Sequence, residues 1–360
     1  MLLRHAIALR HMERDDPAGG GPEIPDDVSE TTGTPPLSRR LTEAARTLAI
    51  IVIVPVVLAY AVAGGAAAAG AALGAGLSFF LALLAGWRRA AVFVIPMLAA
   101  AALSAMASGT PWWVLGLAVL GLLAGVLETR GLLVPFAFLG LGWSVSKPTD
   151  PVDDLVVLLL FAGIASAYAI MLARRAGLPP VADAVRMMTA TAVTKGIGLA
   201  LAAGIAGVIA QNWDNENSYW LPMTIFVLAL PAPGVRLSQR AVTRVAGTAA
   251  GVGAAFMVST LIDVPALDYA LAFCALVLTL AIPEPRWFNA ATMAFAIVLA
   301  LTPTSGSEVG GSRLGATVLG AVIVIAIAGV LVLLTRLVPW SSGQREMLTE
   351  FEQARNADDV

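Results

Sequence analysis

The sequence predicts an all-α polytopic membrane protein with about twelve transmembrane helices, laid out as two parallel six-helix repeats. Three observations carry this. Of 360 residues, 58% are hydrophobic and 13% charged, and mean hydropathy is +0.84. A soluble chain averages roughly 45–50% apolar and about 25% charged residues. The charges gather at the two ends and in short islands between apolar runs, each long enough as helix to cross a hydrocarbon layer of ~30 Å. The islands then alternate in sign along the chain.

The expected spans of the first half are 44–64, 67–87, 90–108, 111–128, 131–146 and 153–173. Those of the second half are 188–210, 219–234, 241–262, 266–283, 287–304 and 313–337. Long continuous runs, without ten-residue alternation, favour helices over a barrel. One set of loops holds Arg39, Arg40, Arg46, Arg88, Arg89, Arg130, Arg174, Arg175, Arg186, Arg236, Arg240, Arg244, Arg286 and Arg336. The alternate loops hold Lys147, Asp150, Asp153, Asp154, Asp214, Glu216, Asp263, Asp268 and Glu308, with Arg313 as the other basic residue. Basic loops favour the cytoplasm, so both termini are expected inside.

The expected organisation is a disordered cytoplasmic tail (1–40), a first membrane half (41–175), a linker (176–187), a second half (188–337) and a cytoplasmic tail (338–360). The opening MLLRHAIALRH is too short an apolar stretch for a signal peptide, and Met12 is a second candidate start. The halves correspond in pattern. Residues 86–107 and 239–261 both open on basic residues and continue in Ala, Gly and Ser. The helices that follow open on Pro111-Trp112-Trp113 and on Pro265-Ala266-Leu267. Six spans per half make the repeat parallel.

The composition excludes several functions. Net charge is −2, which provides no basic field for nucleic acid. Cys274 is the sole cysteine, and both histidines, His5 and His11, precede the membrane region. No metal site, cofactor motif, P-loop or nucleophile motif occurs, so the chain reads as neither an enzyme nor an ATPase.

Candidate functional residues concentrate in the second half. Lys195 lies inside a span, flanked by Thr194 and Gly196; a lysine there must snorkel, pair or face water. Tyr219 and Trp220 stand at a helix entrance, as interfacial anchors or as a stacking surface for an aromatic substrate. Pro231 and Pro233 should break the inner end of that helix. Arg236, Arg240 and Arg244 mark topology and would attract an anion. Arg313 has Glu308 as an exposed partner. Thr248 is placed to hydrogen-bond across helices or to its own chain. Gly247 and Gly251, and Gly315 and Gly320, make small-residue surfaces for close helix packing, which also leaves a homodimer open. Glu128, Asp268 and Glu284 are the acids placed to carry protons.

The segment Tyr219-Trp220-Leu221-Pro222-Met223-Thr224, followed by Arg240, Arg244, Gly247, Thr248 and Gly251, resembles the fusaric-acid-resistance and aromatic-acid-exporter family. Arg313-Leu314-Gly315-Ala316-Thr317, with Gly320 and Ala321, resembles that family's closing motif. The resemblance covers roughly 186–337. It implies a bacterial inner-membrane exporter of small organic, often aromatic, acids, of a kind often paired with a periplasmic adaptor. It makes Lys195, Tyr219, Trp220, Thr224, Arg240, Arg244, Thr248 and Arg313 the substrate-path candidates. The large cytoplasmic domains of bigger members are missing here. A passive anion channel and a non-transporting scaffold or envelope factor are the alternatives.

Overall fold

In the computed structural model the apolar runs form helices, and among the described residues every regular element is helical. The structure describes residues 36–145, 152–177, 189–213, 218–230, 237–261, 264–282, 286–305 and 308–337. Of the disordered tail expected over 1–40, residues 37–40 are helical, whereas residues 1–35 lie outside the described residues, as do most of the linker and the C-terminal tail. So do Lys147, Asp150, Asp214, Glu216, Pro231, Pro233, Arg236, Asp263, Glu284 and the side chain of Glu308.

The helices are α1 (Leu37–Ala85), α2 (Trp87–Ala107), α3 (Pro111–Val126), α4 (Leu133–Val145), α5 (Val152–Arg175) and α6 (Thr189–Asn212). They continue with α7 (Trp220–Ala229), α8 (Leu237–Leu261), α9 (Pro265–Ala281), α10 (Arg286–Ser305) and α11 (Glu308–Leu337). Seven helices are long and apolar enough to cross a membrane; α4, α7, α9 and α10 are shorter apolar helices.

Helix α1 starts at Leu37, ahead of the expected span, and has two arms. Ala63 (φ −142°, ψ 17°) and Gly64 (φ 77°, ψ −157°) leave helical geometry between them. Glycine tolerates that positive φ because it has no Cβ. The arms lie side by side: Ala59 and Ala71 line one pocket, and Ile51 and Phe79 share one core cluster. A π-turn, Ala49–Ile53, precedes Pro55 in the first arm. Proline removes one helix hydrogen bond and crowds the carbonyl four residues back, and a widened turn relieves both.

Small residues set how the helices pack. A Cβ on Gly70 would fall 2.1 Å from the Leu158 carbonyl oxygen, and one on Gly74 would fall 2.1 Å from that of Ala162. The second arm of α1 and α5 therefore run parallel in near backbone contact. Gly121 meets Leu199 and Gly125 meets Gly196, so α3 and α6 run antiparallel. Gln211 closes that seam by donating to the Thr110 carbonyl at 2.8 Å. Gly247 meets Trp287 and Gly251 meets Ala291, which makes α8 and α10 parallel. Phe93 stacks edge-on against Phe136 at 5.6 Å, and Met97 clusters with Leu139, joining α2 to α4. Such approach gains dispersion between backbones that bulkier residues would hold apart. Large apolar side chains point outward instead, as Tyr60, Val62, Ile95 and Met106 do.

A tryptophan network locks α2, α3 and α4. Trp113 Nε1 donates to Ser104 Oγ at 2.9 Å, Ser104 Oγ donates to the Trp143 carbonyl, and Trp143 Nε1 donates to the Trp113 carbonyl at 3.0 Å. Between α9 and α10, Thr279 donates to Thr292 at 2.8 Å and Asn289 to the Thr279 carbonyl at 2.8 Å. Each buried polar group in these two networks has a partner, as an apolar interior requires.

Candidate functional site

Helix α7 is the shortest of the eleven described helices and, with α4, among the most enclosed. Eight of its ten residues are buried, Phe226 and Leu221 completely. An apolar helix without a polar face belongs inside a bundle. At ~1.5 Å per residue it is about 15 Å long, half a hydrocarbon layer. It stops at Ala229 because Leu230 precedes Pro231, and a residue before proline is pushed out of the α region; Leu230 has ψ 143°. The helix packs parallel to α11, with the Thr224 methyl against Gly320, where a Cβ would come within 2.9 Å of it. Thr224 is thereby a packing residue, and its hydroxyl donates back to the Trp220 carbonyl at 2.9 Å.

Each end of α7 carries arginine. At its start the Arg313 guanidinium lies over the Trp220 ring, 4.3 Å from the centroid, and Tyr219 packs on the same indole at 4.9 Å. At its end Arg240 donates to the Leu230 carbonyl, one of the acceptors that the broken helix leaves open. Leu228, Ala241 and Ala321 form the cluster that holds α7, α8 and α11 together at that level. Arg244, one turn along α8 from Arg240, extends between the two ends. Its charge acts on Arg313, and that of Arg240 acts on it in turn. Arg286, at the start of α10, acts on Arg240. Four cations from three helices thus form a column beside α7. Arg313 and Arg244 belong to opposite ends of the bundle and approach because the helix between them is half-length.

Among the described residues the column is short of counter-charge. Arg313 is 6% exposed, and its Nε and Nη1 have no hydrogen-bond partner. Arg244 Nε and Trp220 Nε1 are likewise buried without one. A desolvated cation–π contact is worth about 2 kcal/mol. Each buried donor left unsatisfied costs about 1–3 kcal/mol. The stacking does not offset several such donors together with like-charge repulsion. An anion with acceptor oxygens is the kind of group that would satisfy these donors.

The other candidates lie elsewhere. Lys195 on α6 pairs with Glu128 at the end of α3: Nζ is 2.9 Å from Oε1 and 2.8 Å from Oε2. Thr248 is buried on α8, beside the close contacts of Gly247 and Gly251 with α10. A Cβ on Gly315 would stand 3.5 Å from Trp213, an ordinary contact. Trp220, at 9% exposure, is too enclosed for an interfacial anchor. Two features were not singled out from the sequence. Arg286 looked like one more topology marker, and Glu128 gave no sign that Lys195, 67 positions away, would meet it. Asp268 is buried at the opposite face from Arg286, with Oδ1 unpartnered.

The Lys195–Glu128 pair has a testable energetic role. Lys195→Met strands a carboxylate that is mostly enclosed and should destabilise the protein by about 2–3 kcal/mol, the lower part of the range for a broken buried pair because the lysine is partly exposed. Adding Glu128→Leu should recover most of that loss. Thermal unfolding of the two variants in detergent reads this directly.

The comparisons with known proteins fall on this half of the chain. Residues 201–327, from α6 to α11, match the family model described as fusaric acid resistance protein-like. Over these residues the chain is similar to that family. The match spans Tyr219, Trp220, Arg240, Arg244, Arg286 and Arg313, so the whole arginine column lies inside the fusaric acid resistance protein-like region. No curated protein and no solved structure matches the chain.

Proposed function

We propose that the protein carries small organic anions, aromatic carboxylates among them, through the site beside α7, and that it is a transporter and not an enzyme. The observation behind this is Arg313: a buried guanidinium on an indole face, with two unpartnered N–H groups and Arg244 behind it. A carboxylate would satisfy those donors in the fork geometry that guanidinium prefers. Tyr219 and Trp220 would add ring contacts to an aromatic acid.

In this reading the chain crosses the membrane twelve times. The two arms of α1 count separately, and the four shorter apolar helices count as crossings. The two halves then pack alike, which supports a parallel repeat. The second arm of α1 lies parallel to α5 as α7 does to α11, and α2 lies parallel to α4 as α8 does to α10. The face with Arg88, Arg174 and Arg286 is cytoplasmic in a bacterial inner membrane, and both termini lie there. Efflux would be driven by a proton gradient, with Asp268 as the proton-carrying acid, and a periplasmic adaptor and a homodimer complete the assembly. The continuous run of cations from Arg286 to Arg313 favours a second reading, a passive anion channel.

The test is flux of radiolabelled benzoate and acetate in proteoliposomes, with and without a pH gradient. Saturable benzoate flux that the gradient accelerates and Asp268→Asn removes supports the transporter. Gradient-independent anion current unchanged in Asp268→Asn supports the channel. Absence of any anion flux from folded protein overturns both.

A further inference from the structure

At the far side of the first half, another indole holds two guanidinium groups. Trp87 opens α2, with Arg88 Cζ 5.5 Å and Arg174 Cζ 5.2 Å from its ring centroid. Arg174 comes from the last turn of α5, so two separate helices bring their cations to one ring. Neighbouring Arg89 is already committed, donating to the Gly131 carbonyl at 3.1 Å. Arg88 and Arg174 are exposed, and among the described residues no carboxylate pairs with either; Glu128, the acid of this end of the half, is taken by Lys195. Two cations gathered around one ring, with no anion beside them among the described residues, leave room for a phosphate.

A second feature on α5 decides which kind of phosphate. Tyr168, Ile164 and Phe161 form one wall of an apolar pocket of about 210 Å3 whose other wall is Leu58, Ala59 and Val62 of α1. Its rim is open, with Leu58 60%, Val62 77% and Ile164 58% exposed. Tyr168 stands seven residues from Arg175, on the same helix stripe and about 10 Å away along the axis. Arg174 adjoins the foot of that stripe, so an acyl chain anchored by its headgroup at Arg174 can run along it into the pocket. A free phosphate ion has no use for it.

We propose that the basic ends of α2 and α5 bind one anionic phospholipid, its phosphate between Arg88 and Arg174 and an acyl chain in the groove of α1 and α5. Trp87 keeps both guanidinium groups in place and supplies the interfacial indole that such headgroup sites favour. The site is independent of the arginine column and of what that column carries.

The experiment titrates the purified full chain in detergent with dioleoylphosphatidylglycerol, dioleoylphosphatidylcholine or inorganic phosphate. Native mass spectrometry counts retained lipid, and thermal unfolding is read in parallel. Wild type should retain one phosphatidylglycerol in preference to phosphatidylcholine and be stabilised by it, with no effect of phosphate. Each cation near an anionic headgroup is worth about a five-fold change in affinity, so R88Q and R174Q singly should weaken retention about five-fold and together about twenty-five-fold. R46Q, at an exposed arginine of α1, should leave it unchanged. Equal retention of the two lipids, undiminished phosphatidylglycerol retention in the double variant, or protection by phosphate alone overturns the proposal.

Discussion

Replacing Arg313 by methionine should make the protein more stable and abolish anion transport. The side chain is almost wholly enclosed, two of its N–H donors are unpartnered, and the cation that acts on it, Arg244, has the same sign. Substituting an apolar residue of similar length for a poorly compensated buried ion commonly stabilises by about 1–4 kcal/mol. That corresponds to a rise of a few degrees in Tm. Losing a charge-assisted contact to a bound carboxylate costs about 2–5 kcal/mol, so benzoate flux should fall at least ~30-fold. Arg313→Lys keeps the charge but loses the planar fork and the stacking on Trp220, and should fall between. A purely structural arginine gives the opposite pattern, with Tm and flux dropping together. Thermal unfolding and proteoliposome flux on the same preparations separate the two.

Gly251→Ala should destabilise the protein severely, whereas Gly253→Ala, two residues along the same helix, should stabilise it slightly. A Cβ at Gly251 would come 2.1 Å from the Ala291 carbonyl oxygen, a backbone atom that moves only if α8 and α10 separate. At Gly253 nothing lies within 4 Å. Overpacking a tight contact costs about 1–3 kcal/mol or more. Removing glycine from an open helix position gains up to about 1 kcal/mol. The two variants differ by one methyl group at neighbouring positions, so unfolding temperature and the yield of folded protein report packing alone. The same contrast holds in the first half between Gly74, tight against α5, and Gly76, which faces open space.

The helices and their order were legible in the sequence because the signal is local. Run length, Pro111 and Pro265 at helix starts, and the basic islands each act within a turn or two of their own position. The shortness of α7 was half legible: Pro231 and Pro233 promised a break, but not that Arg240 would cap it or that two ends of the bundle would meet across it. The arginine column depends on α7, α8, α10 and α11 packing together, and Arg244 and Arg313 stand 69 positions apart in sequence. Locally, Arg244 looks like a topology marker and Arg313 like an exception to the charge rule. Only the three-dimensional arrangement makes them neighbours. Lys195 is the converse, conspicuous in the sequence and answered in the structure by Glu128.

The half-length of α7 has an electrical consequence. Between Trp220 and Leu230 only about 15 Å of helix separates the two arginine-bearing ends. If polar surroundings reach both ends, the membrane potential drops across this thin septum instead of the full ~30 Å layer, and the local field is roughly doubled. A monovalent anion hopping from Arg240 to Arg313 then crosses nearly the whole voltage, worth about 2.3 kcal/mol per 100 mV. The step beside α7 would be the voltage-dependent one, and Arg244 sits where that field is steepest.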